Sequence, residues 1–268
     1  MIVSSLHRYP VKSLRGHSCG QATVDPWGIV GDRRWMLVDR AGEKLWAGRH
    51  HQLLSITATV PAEGGLLLSA TPGDSELRVA EPVDGERVPV GLRGVGTALA
   101  AGEEADAWLS DHLGLDVRLV WLEDPRRRPM SESHGGRAGD VLSFADAAPL
   151  LLTTQPSLRR LDDWIAESEG ALAMERFRPN LVVDGDLPPF AEDRWSRIRV
   201  GDVEFRFAEL CDRCAVTTID PDTGRSGKEP LRSLARHRRW DGHVWFGIRI
   251  VPVRTGTIAL GDPVHVLS

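Results

Sequence analysis

Residues 209–224 have the sequence ELCDRCAVTTIDPDTG, which contains two of the three cysteines in the chain. Residues 203–210 alternate apolar and polar side chains, and residues 215–219 are rich in β-branched side chains. Both patterns predict strands. The Asp-Pro-Asp-Thr-Gly run that follows predicts a tight turn. Cys211 and Cys214 are therefore expected at a bend between two strands, where the backbone would hold a reactive sulfur rigidly.

Two cysteines separated by two residues allow four interpretations. Both could be small core residues of a sheet. A redox pair would begin a helix of a βαβ unit, but no helical pattern follows Cys214. A zinc site would need His237 and His243, at a separation longer than zinc fingers use. The fourth interpretation is one thiolate ligand to a transition metal carried by a cofactor, with the neighbouring Arg213 favouring the thiolate of Cys214.

The composition is that of an ordinary globular protein. The 268 residues are 41% hydrophobic and 26% charged, enough for one large domain or two small ones. A formal net charge of −5 argues against binding to nucleic acid or to an anionic membrane, so any anion site must be local. No apolar run approaches the roughly 20 residues of a membrane span, and the start lacks a signal-peptide pattern. An odd number of cysteines indicates a reducing cytoplasm.

The first third of the chain predicts many short strands. Clusters of Gly, Pro and Asp separate the apolar runs, among them Glu63-Gly64-Gly65 and Pro72-Gly73-Asp74. Strands at this spacing are typical of a barrel or a sandwich. The predicted strands cover residues 2–9, 20–24, 34–38, 53–60, 66–70, 76–79 and 87–90.

The pattern changes near residues 92–100, which predicts a domain boundary. An apolar stripe at helical spacing follows from Ala105 to Leu113 and predicts a helix that ends at Gly114. A second helix is predicted at Leu158, Leu161 and Ile165, with Thr154 or Pro156 near its start, and a short basic helix from Glu229 through Arg239. Further strands are predicted at residues 117–122, 176–184, 244–253 and 258–267, and residues 141–144 and 150–153 are apolar and buried in character.

Residues 123–140 are rich in Pro, Ser and Gly and contain three successive arginines, Arg126 to Arg128. This composition predicts a mobile loop. Its arginines are either a solvated face or part of a lid that orders over a substrate.

The cysteine stretch resembles the signature of MOSC-domain proteins, within the branch that contains the mitochondrial amidoxime-reducing components and their bacterial relatives. The resemblance spans nearly the whole chain. Besides residues 211–224, it is carried by Tyr9-Pro10-Val11-Lys12-Ser13, Gly31-Asp32-Arg33-Arg34-Trp35, Phe144-Ala145-Asp146, Leu151-Leu152-Thr153-Thr154, Ser157-Leu158, Phe177-Arg178-Pro179-Asn180, Phe246-Gly247, Gly256-Thr257-Ile258 and Gly261-Asp262-Pro263-Val264.

The resemblance implies a mixed α/β, mostly β fold with two domains. Residues 1–92 would form an N-terminal β-barrel domain that covers part of a cofactor site. Residues 93–268 would form a MOSC-type β-barrel domain with flanking helices, which binds the cofactor and carries the catalytic cysteine.

The implied cofactor is molybdenum bound to a pyranopterin dithiolene, and the family also has a general association with pyridoxal phosphate. Cys214 is then the expected catalytic residue and metal ligand, with Cys211 as the second candidate. The anionic cofactor calls for cations and polar groups, since helix N-termini and side-chain amides bind phosphate and pterin edges. The candidates for binding it are Lys12, Ser13, Arg33, Thr154, Ser157, Arg178, Asn180 and Arg213.

The implied activity is reduction of N-hydroxylated compounds, such as amidoximes and hydroxylamines, by oxygen-atom transfer to molybdenum. We expect a monomer that receives electrons from a separate flavin or iron–sulfur protein, because neither a ferredoxin-type domain nor a membrane anchor is evident in the sequence. One alternative is a sulfur carrier that holds a persulfide on Cys214 for cofactor or cluster assembly. A non-catalytic β-barrel binding module is another.

Overall fold

The structure is a computed structural model that describes residues 1–71, 75–165 and 170–268. The turn predicted at residues 72–74 lies outside these ranges. The first strands are β1 (Ile2–Arg8), β2 (His17–Ser18), β3 (Gln21–Asp25), β4 (Gly28–Ile29), β5 (Trp35–Val38), β6 (Ile56–Thr59), β7 (Leu66–Ala70), β8 (Glu76–Val79), β9 (Arg87–Val90) and β10 (Gly96–Ala100). A helix, α1 (Glu103–Leu113), comes next.

The second part of the chain contains the longest strands and two more helices. Its strands are β11 (Arg118–Trp121), β12 (Leu150–Thr154), β13 (Leu181–Asp184), β14 (Arg197–Val200), β15 (Val203–Asp212), β16 (Arg239–Trp240), β17 (His243–Arg254), β18 (Gly256–Ala259) and β19 (Val264–Val266). Its helices are α2 (Gln155–Trp164) and α3 (Leu231–His237). The mixed, mostly β fold class is confirmed. In the described part of the chain, no helix is long and apolar enough to cross a membrane.

Within the residues that the structure describes, the strands form one large sheet and three small ones. The large sheet has the order β19-β14-β15-β17-β12-β13-β1-β2, with β16 paired to β17. The small sheets are β5-β11-β10-β9, β18-β3-β4 and β6-β7-β8. The predicted barrels are thus present as packed sheets and not as closed rings of strands. Strands β2, β4, β10, β14 and β16 were missing from the sequence prediction, and residues 53–60 begin with a 3₁₀ turn, His51–Ser55, before β6.

The two parts of the chain are interleaved. Strand β1 pairs with β13, and β3 pairs with β18, so N-terminal strands complete the C-terminal sheets. In the other direction, Leu109 of α1 and Leu119 of β11 are buried in one core with Trp35 and Leu68. Contacts therefore cross residue 92 both ways, and the division of the chain at that point stays a prediction.

The predicted amphipathic helix is confirmed as α1. Its buried residues Ala105, Leu109 and Leu113 share one face. Gly114 ends the helix in the left-handed conformation, with φ of 62°, and its N–H bonds the Ser110 carbonyl. This is the C-terminal cap that glycine provides without a steric cost.

The segment after Cys211 differs from the predicted strand. Strand β15 ends at Asp212, and Ala215–Thr218 form a 3₁₀ turn. The Thr217 hydroxyl donates to the Cys214 carbonyl at 3.0 Å, and the Thr218 hydroxyl donates to the Ala215 carbonyl at 2.7 Å. These local bonds offer the backbone an alternative to strand pairing, which valine and isoleucine side chains cannot do. The strand prediction for residues 215–219 is therefore wrong.

The tight turn predicted after residue 219 is confirmed. One carboxylate oxygen of Asp220 accepts hydrogen bonds from the backbone N–H groups of Asp222 and Thr223, at 3.1 and 2.9 Å. The Gly224 N–H bonds the Asp220 carbonyl at 2.8 Å, with Gly224 at a positive φ of 67°. An aspartate that bonds the backbone ahead of it is a common device for starting a turn.

A buried cluster of one carboxyl and two hydroxyl groups fixes the start of α2. Thr154 is the N-cap, and its hydroxyl oxygen accepts from the Ser157 N–H. The fully buried Glu192 accepts hydrogen bonds from the Ser157 hydroxyl at 2.7 Å and from the Thr154 hydroxyl at 3.1 Å. Burial raises the pKa of Glu192 to about 7, an effect that the Ser157 hydrogen bond only partly offsets.

This cluster predicts a pH-dependent stability. A carboxyl whose pKa is higher in the folded than in the unfolded protein destabilises the fold as pH rises from the unfolded value through the folded value. We expect Glu192→Gln to remove this loss. Its free energy of unfolding relative to the unsubstituted protein should rise by about 2 to 3 kcal/mol between about pH 5 and about pH 8.5. Urea unfolding across this range measures the difference.

The control is Glu104→Gln, on the exposed face of α1. The difference in free energy of unfolding between Glu104→Gln and the unsubstituted protein should stay constant with pH. A constant difference for Glu192→Gln as well would show that the buried carboxyl does not titrate in this range.

Candidate functional site

A cavity of about 480 Å³ lies between the two parts of the chain and contains both cysteines of the opening motif. We call it the cysteine cavity. Eight residues predicted from the sequence line it, contributed by four separated segments. They are Lys12, Ser13, Arg33, Arg178, Asn180, Cys211, Arg213 and Cys214.

The two cysteines differ in exposure. Cys214 is exposed, whereas Cys211 is 5% exposed. Cys214 precedes the 3₁₀ turn, and its carbonyl oxygen accepts both the Thr217 N–H and the Thr217 hydroxyl. Its backbone is therefore fixed while its sulfur is accessible, as a metal ligand requires.

An irregularity of the sheet lies beside Cys211. Leu210 is opposite Ile248, but Asp212 is opposite Trp245, so strand β17 has one extra residue there. Gly247 lies within this extra length at a φ of +76°, and a Cβ atom on it would come within 2.8 Å of the Leu152 carbonyl oxygen. Bulges redirect the side chains next to them and are frequent beside functional sites. A side chain at position 247 would clash with the Leu152 carbonyl oxygen, so this bulge requires glycine.

Arg213 contacts Cys211, which corrects the prediction that it acts on Cys214. Its guanidinium lies 2.7 Å from the Cys211 sulfur and donates to the Phe177 carbonyl at 2.8 Å. The reason is the extended backbone of this segment, in which side chains two positions apart share a face and adjacent ones point apart. Arg213 therefore contacts the cysteine two positions before it and not the adjacent one.

The buried carboxylate of Asp32 joins three segments behind the cavity. Asp32 is 2% exposed and accepts hydrogen bonds from the Tyr9 N–H at 2.7 Å, from Arg33 at 2.5 Å and from the Asn180 amide at 3.0 Å. Arg33 also donates to the Asn180 side-chain oxygen at 3.0 Å and to the Arg178 carbonyl at 3.2 Å. The predicted Arg33, Arg178 and Asn180 are therefore neighbours.

The backbone is strained at three predicted residues. Ser13, Arg33 and Arg178 have φ values of 71°, 48° and 56°. Within the described ranges, the other non-glycine residues at positive φ are Phe190 and Asp241, neither of which lines the cavity. Left-handed backbone in such residues costs on the order of 1 to 3 kcal/mol and tends to occur at functional sites.

Buried cations line the cavity. Lys12 is 5% exposed and donates to the Phe144 carbonyl at 2.9 Å and to the Asp146 carboxylate at 2.5 Å. Burial lowers the pKa of Lys12, and the Asp146 charge opposes that change. Burial and then the nearby Arg33 lower the pKa of Arg178 to about 10, so Arg178 remains charged at neutral pH.

The basic groups of the cysteine cavity outnumber the acidic ones. In a chain of net charge −5, the lining has seven Lys or Arg residues and two Asp residues. Two guanidinium nitrogens, Nη2 of Arg178 and Nε of Arg213, are buried without a hydrogen-bond partner in the described protein. Buried donors are nearly always paired, so these nitrogens have donor capacity available for a ligand.

Two predicted site residues lie elsewhere. Thr154 and Ser157 are fully buried at the start of α2, where they bond Glu192, and they do not line the cysteine cavity. The helix N-terminus that they form is occupied by the protein's own acidic side chain. The Thr154 and Ser157 hydroxyls are thus bonded to Glu192 and not directed into the cysteine cavity.

Residues 123–140 do not line the cavity, so the lid prediction for them is wrong. The segment is held by buried contacts. Arg128 is 5% exposed and donates to the Ala145 carbonyl at 2.8 Å, and Asp140 pairs with Arg206. His134 lies 2.9 Å from the Glu209 carboxylate. The proline-, serine- and glycine-rich composition gave no sign of these anchors.

Several lining residues were absent from the predicted set. Lys44, Trp46, Asp146, Arg176 and Arg249 all line the cavity. A signal for Arg249 was available, because it interrupts an apolar strand, and it pairs with Glu209 at 2.5 Å and Asp212 at 2.9 Å. Lys44 and Trp46 carried no such signal in the sequence.

The zinc interpretation receives no geometric support. His237 stacks on Trp164 with ring centroids 4.2 Å apart, and His243 lies 3.9 Å from the Asp212 carboxylate. Across residues 1–71, 75–165 and 170–268, no group of three or more His, Cys, Asp or Glu side chains is placed to hold a metal ion.

Comparison with known proteins identifies the class. Residues 139–265 match the MOSC domain, and residues 1–116 match the MOSC N-terminal beta barrel domain. The chain belongs to the MOSC-domain family, in the branch of the mitochondrial amidoxime-reducing components. It is 32% identical to mitochondrial amidoxime-reducing component 1 of Mus musculus, over 99% of this chain and 82% of that protein.

Two further relatives extend the comparison. Mitochondrial amidoxime-reducing component 1 of Homo sapiens is 31% identical over 99% of this chain and 83% of its own length. The molybdenum cofactor sulfurase of Danio rerio is 30% identical over 92% of this chain, which corresponds to 31% of that protein. The chain therefore spans about a third of the sulfurase.

The cavity predicts how two substitutions act. Lys12→Ala and Arg178→Ala each remove a charged donor from the cavity, which should weaken binding of an anionic cofactor about tenfold or more. We expect lower molybdenum content after purification, measured by mass spectrometry, with little change in melting temperature. The Asp146 carboxylate left by Lys12→Ala has an exposed side chain, so it is not stranded in the core.

The control for this experiment is Arg254→Ala, which removes an exposed cation that does not line the cavity. Its molybdenum content should match that of the unsubstituted protein. Equal content in all four proteins would contradict the assignment of the cavity to the cofactor.

Proposed function

We propose that this protein is a molybdenum cofactor-dependent reductase of N-hydroxylated compounds such as amidoximes and hydroxylamines. The observation that carries the proposal is the combination of an exposed thiol, Cys214, with a strongly basic cavity. The names of its relatives, amidoxime-reducing component and molybdenum cofactor sulfurase, support the same cofactor and the same substrate class.

The lining fits the cofactor in charge and in donor type. A thiolate is a suitable ligand for a soft metal, and Cys214 is the accessible one. The unpartnered nitrogens of Arg178 and Arg213 would bind its anionic groups. The fully buried Asn180 amide has all its donors and acceptors bonded within the protein, so its part would be to hold Arg33 in position. Lys12, Ser13 and Arg33 would hold the same ligand from the N-terminal side. Pyridoxal phosphate is not part of this proposal.

When bound, the molybdenum centre would supply the electron pair that cleaves the N–O bond of the substrate. The chain's own residues would hold the anionic cofactor and keep its environment positively charged. The reaction consumes two protons and releases water, and its two electrons would come from a separate flavin or iron–sulfur protein. A monomeric, cytoplasmic state remains part of the proposal.

The persulfide carrier is the second candidate, because the same exposed Cys214 could hold a persulfide. The cavity favours the reductase, since a carrier of one sulfur atom does not require 480 Å³ lined by seven basic side chains. Analysis of purified protein separates the two: molybdenum with bound pterin supports the reductase, and cyanide-releasable sulfur without molybdenum supports the carrier.

The proposal predicts different results for the two cysteines. Cys214→Ser should abolish reduction of a small amidoxime by dye-reduced protein, because serine is a poor ligand for a soft metal. Cys211→Ser should keep much of the activity, since the Cys211 sulfur is buried against Arg213. The dye supplies the electrons, so no physiological partner is needed.

Cys19→Ser is the matched control, because Cys19 does not line the cysteine cavity. It should keep full activity. Equal loss in Cys211→Ser and Cys214→Ser would overturn the assignment of the ligand, and full activity in Cys214→Ser would favour a non-catalytic binding module.

A further inference from the structure

A second cavity of about 280 Å³ adjoins the cysteine cavity and contains neither cysteine of the motif. We call it the tyrosine cavity, after Tyr9. The two cavities share Arg176, Arg178 and Val216. The proposed function does not use this space.

Three buried polar atoms of this lining have no hydrogen-bond partner in the described protein. They are the hydroxyl of Tyr9, Nε of Arg176 and Nη2 of Arg178. Tyr9 is 3% exposed, so its hydroxyl cannot rely on bulk water. A buried hydroxyl without a partner costs about 1 to 3 kcal/mol, and such groups need an explanation. All three atoms are able to donate hydrogen bonds.

The two shared arginines are held so that they retain a free nitrogen. Arg176 uses Nη2 to pair with Asp220 at 2.5 Å, and Arg178 uses Nη1 to bond the Leu14 carbonyl at 2.7 Å. The Arg178 guanidinium also lies 4.3 Å from the centre of the Tyr9 ring. The protein therefore fixes each guanidinium by one edge, which leaves donor capacity for a ligand.

The charge of the tyrosine cavity comes from arginine. Arg15, Arg176 and Arg178 line it, against Glu175 and Asp222, and Arg15 pairs with Asp222 at 2.6 Å. Burial lowers the pKa of both His7 and His17, which therefore add little charge at neutral pH. Leu54, Val216 and Ile219 give the same cavity an apolar wall.

We propose that the tyrosine cavity binds a small organic anion, with its oxyanion on the free donors of Tyr9 and Arg176 and its apolar body against Leu54, Val216 and Ile219. The volume suits a single ring with one carboxylate or phosphate. Both head groups share the recognition chemistry of an oxyanion with guanidinium and hydroxyl donors. Because Arg176 is common to both cavities, the anion also contacts a residue that faces the cofactor.

The test is calorimetric titration of the full chain at low ionic strength with phenyl phosphate, benzoate and inorganic phosphate. We expect an aromatic probe to bind more tightly than inorganic phosphate, because only the aromatic probes reach the apolar wall. Tighter binding of phenyl phosphate identifies a phosphate monoester as the ligand class, and tighter binding of benzoate identifies a carboxylate. Absence of binding by every probe, or no gain over inorganic phosphate, overturns the proposal.

Two substitutions and a charge-matched control locate the probe. Tyr9→Phe removes only the unpartnered hydroxyl and should weaken binding about tenfold. Arg15→Gln should weaken it about threefold to fivefold. Lys44→Gln removes the same charge from an exposed residue of the cysteine cavity alone and should leave the affinity unchanged. If Lys44→Gln weakens binding while Tyr9→Phe does not, the probe occupies the cysteine cavity and the proposal fails.

The result does not depend on the proposed function. The titration is carried out on protein with and without molybdenum, and the tyrosine cavity should bind its probe in both. Loss of the reductase proposal would leave this expectation unchanged.

Discussion

The hydrogen bonds of the buried Asp32 carboxylate are the interaction on which the site depends. They connect the end of strand β1 through the Tyr9 N–H, the turn that carries Arg33, and Asn180 just before strand β13. A carboxylate that is 2% exposed is tolerated only when its partners are in place, and breaking a buried ion pair costs about 3 to 5 kcal/mol. The same bonds that join the two parts of the chain therefore also set the back wall of the cavity.

Positive charge is concentrated in the cysteine cavity, next to this network. The chain is acidic as a whole, yet the cysteine cavity is lined by seven basic and two acidic side chains. Like charges that line one cavity repel one another, and the left-handed backbone at Ser13, Arg33 and Arg178 adds a separate conformational cost. An anionic ligand relieves the repulsion.

The sequence predicted which residues line the site better than it predicted the contacts that they make. Eight of the ten proposed site residues line one cavity, because short motifs at strand ends carry the chemistry of this family. Thr154 and Ser157 were misplaced, since no pattern in the sequence indicated that Glu192, more than 30 positions away, would occupy the same helix start. Arg213 was assigned to the adjacent cysteine, although extended backbone places it beside Cys211.

The pairing of β1 with β13 depends on contacts between residues far apart in the chain, which local patterns do not encode.

The most direct test of the central claim is X-ray absorption at the molybdenum edge of freshly purified protein, compared with Cys214→Ser. We expect molybdenum in the unsubstituted protein with one protein sulfur ligand in addition to those of the cofactor, and the loss of that ligand in Cys214→Ser. An unchanged sulfur count in the variant, or protein that never contains molybdenum, would contradict it.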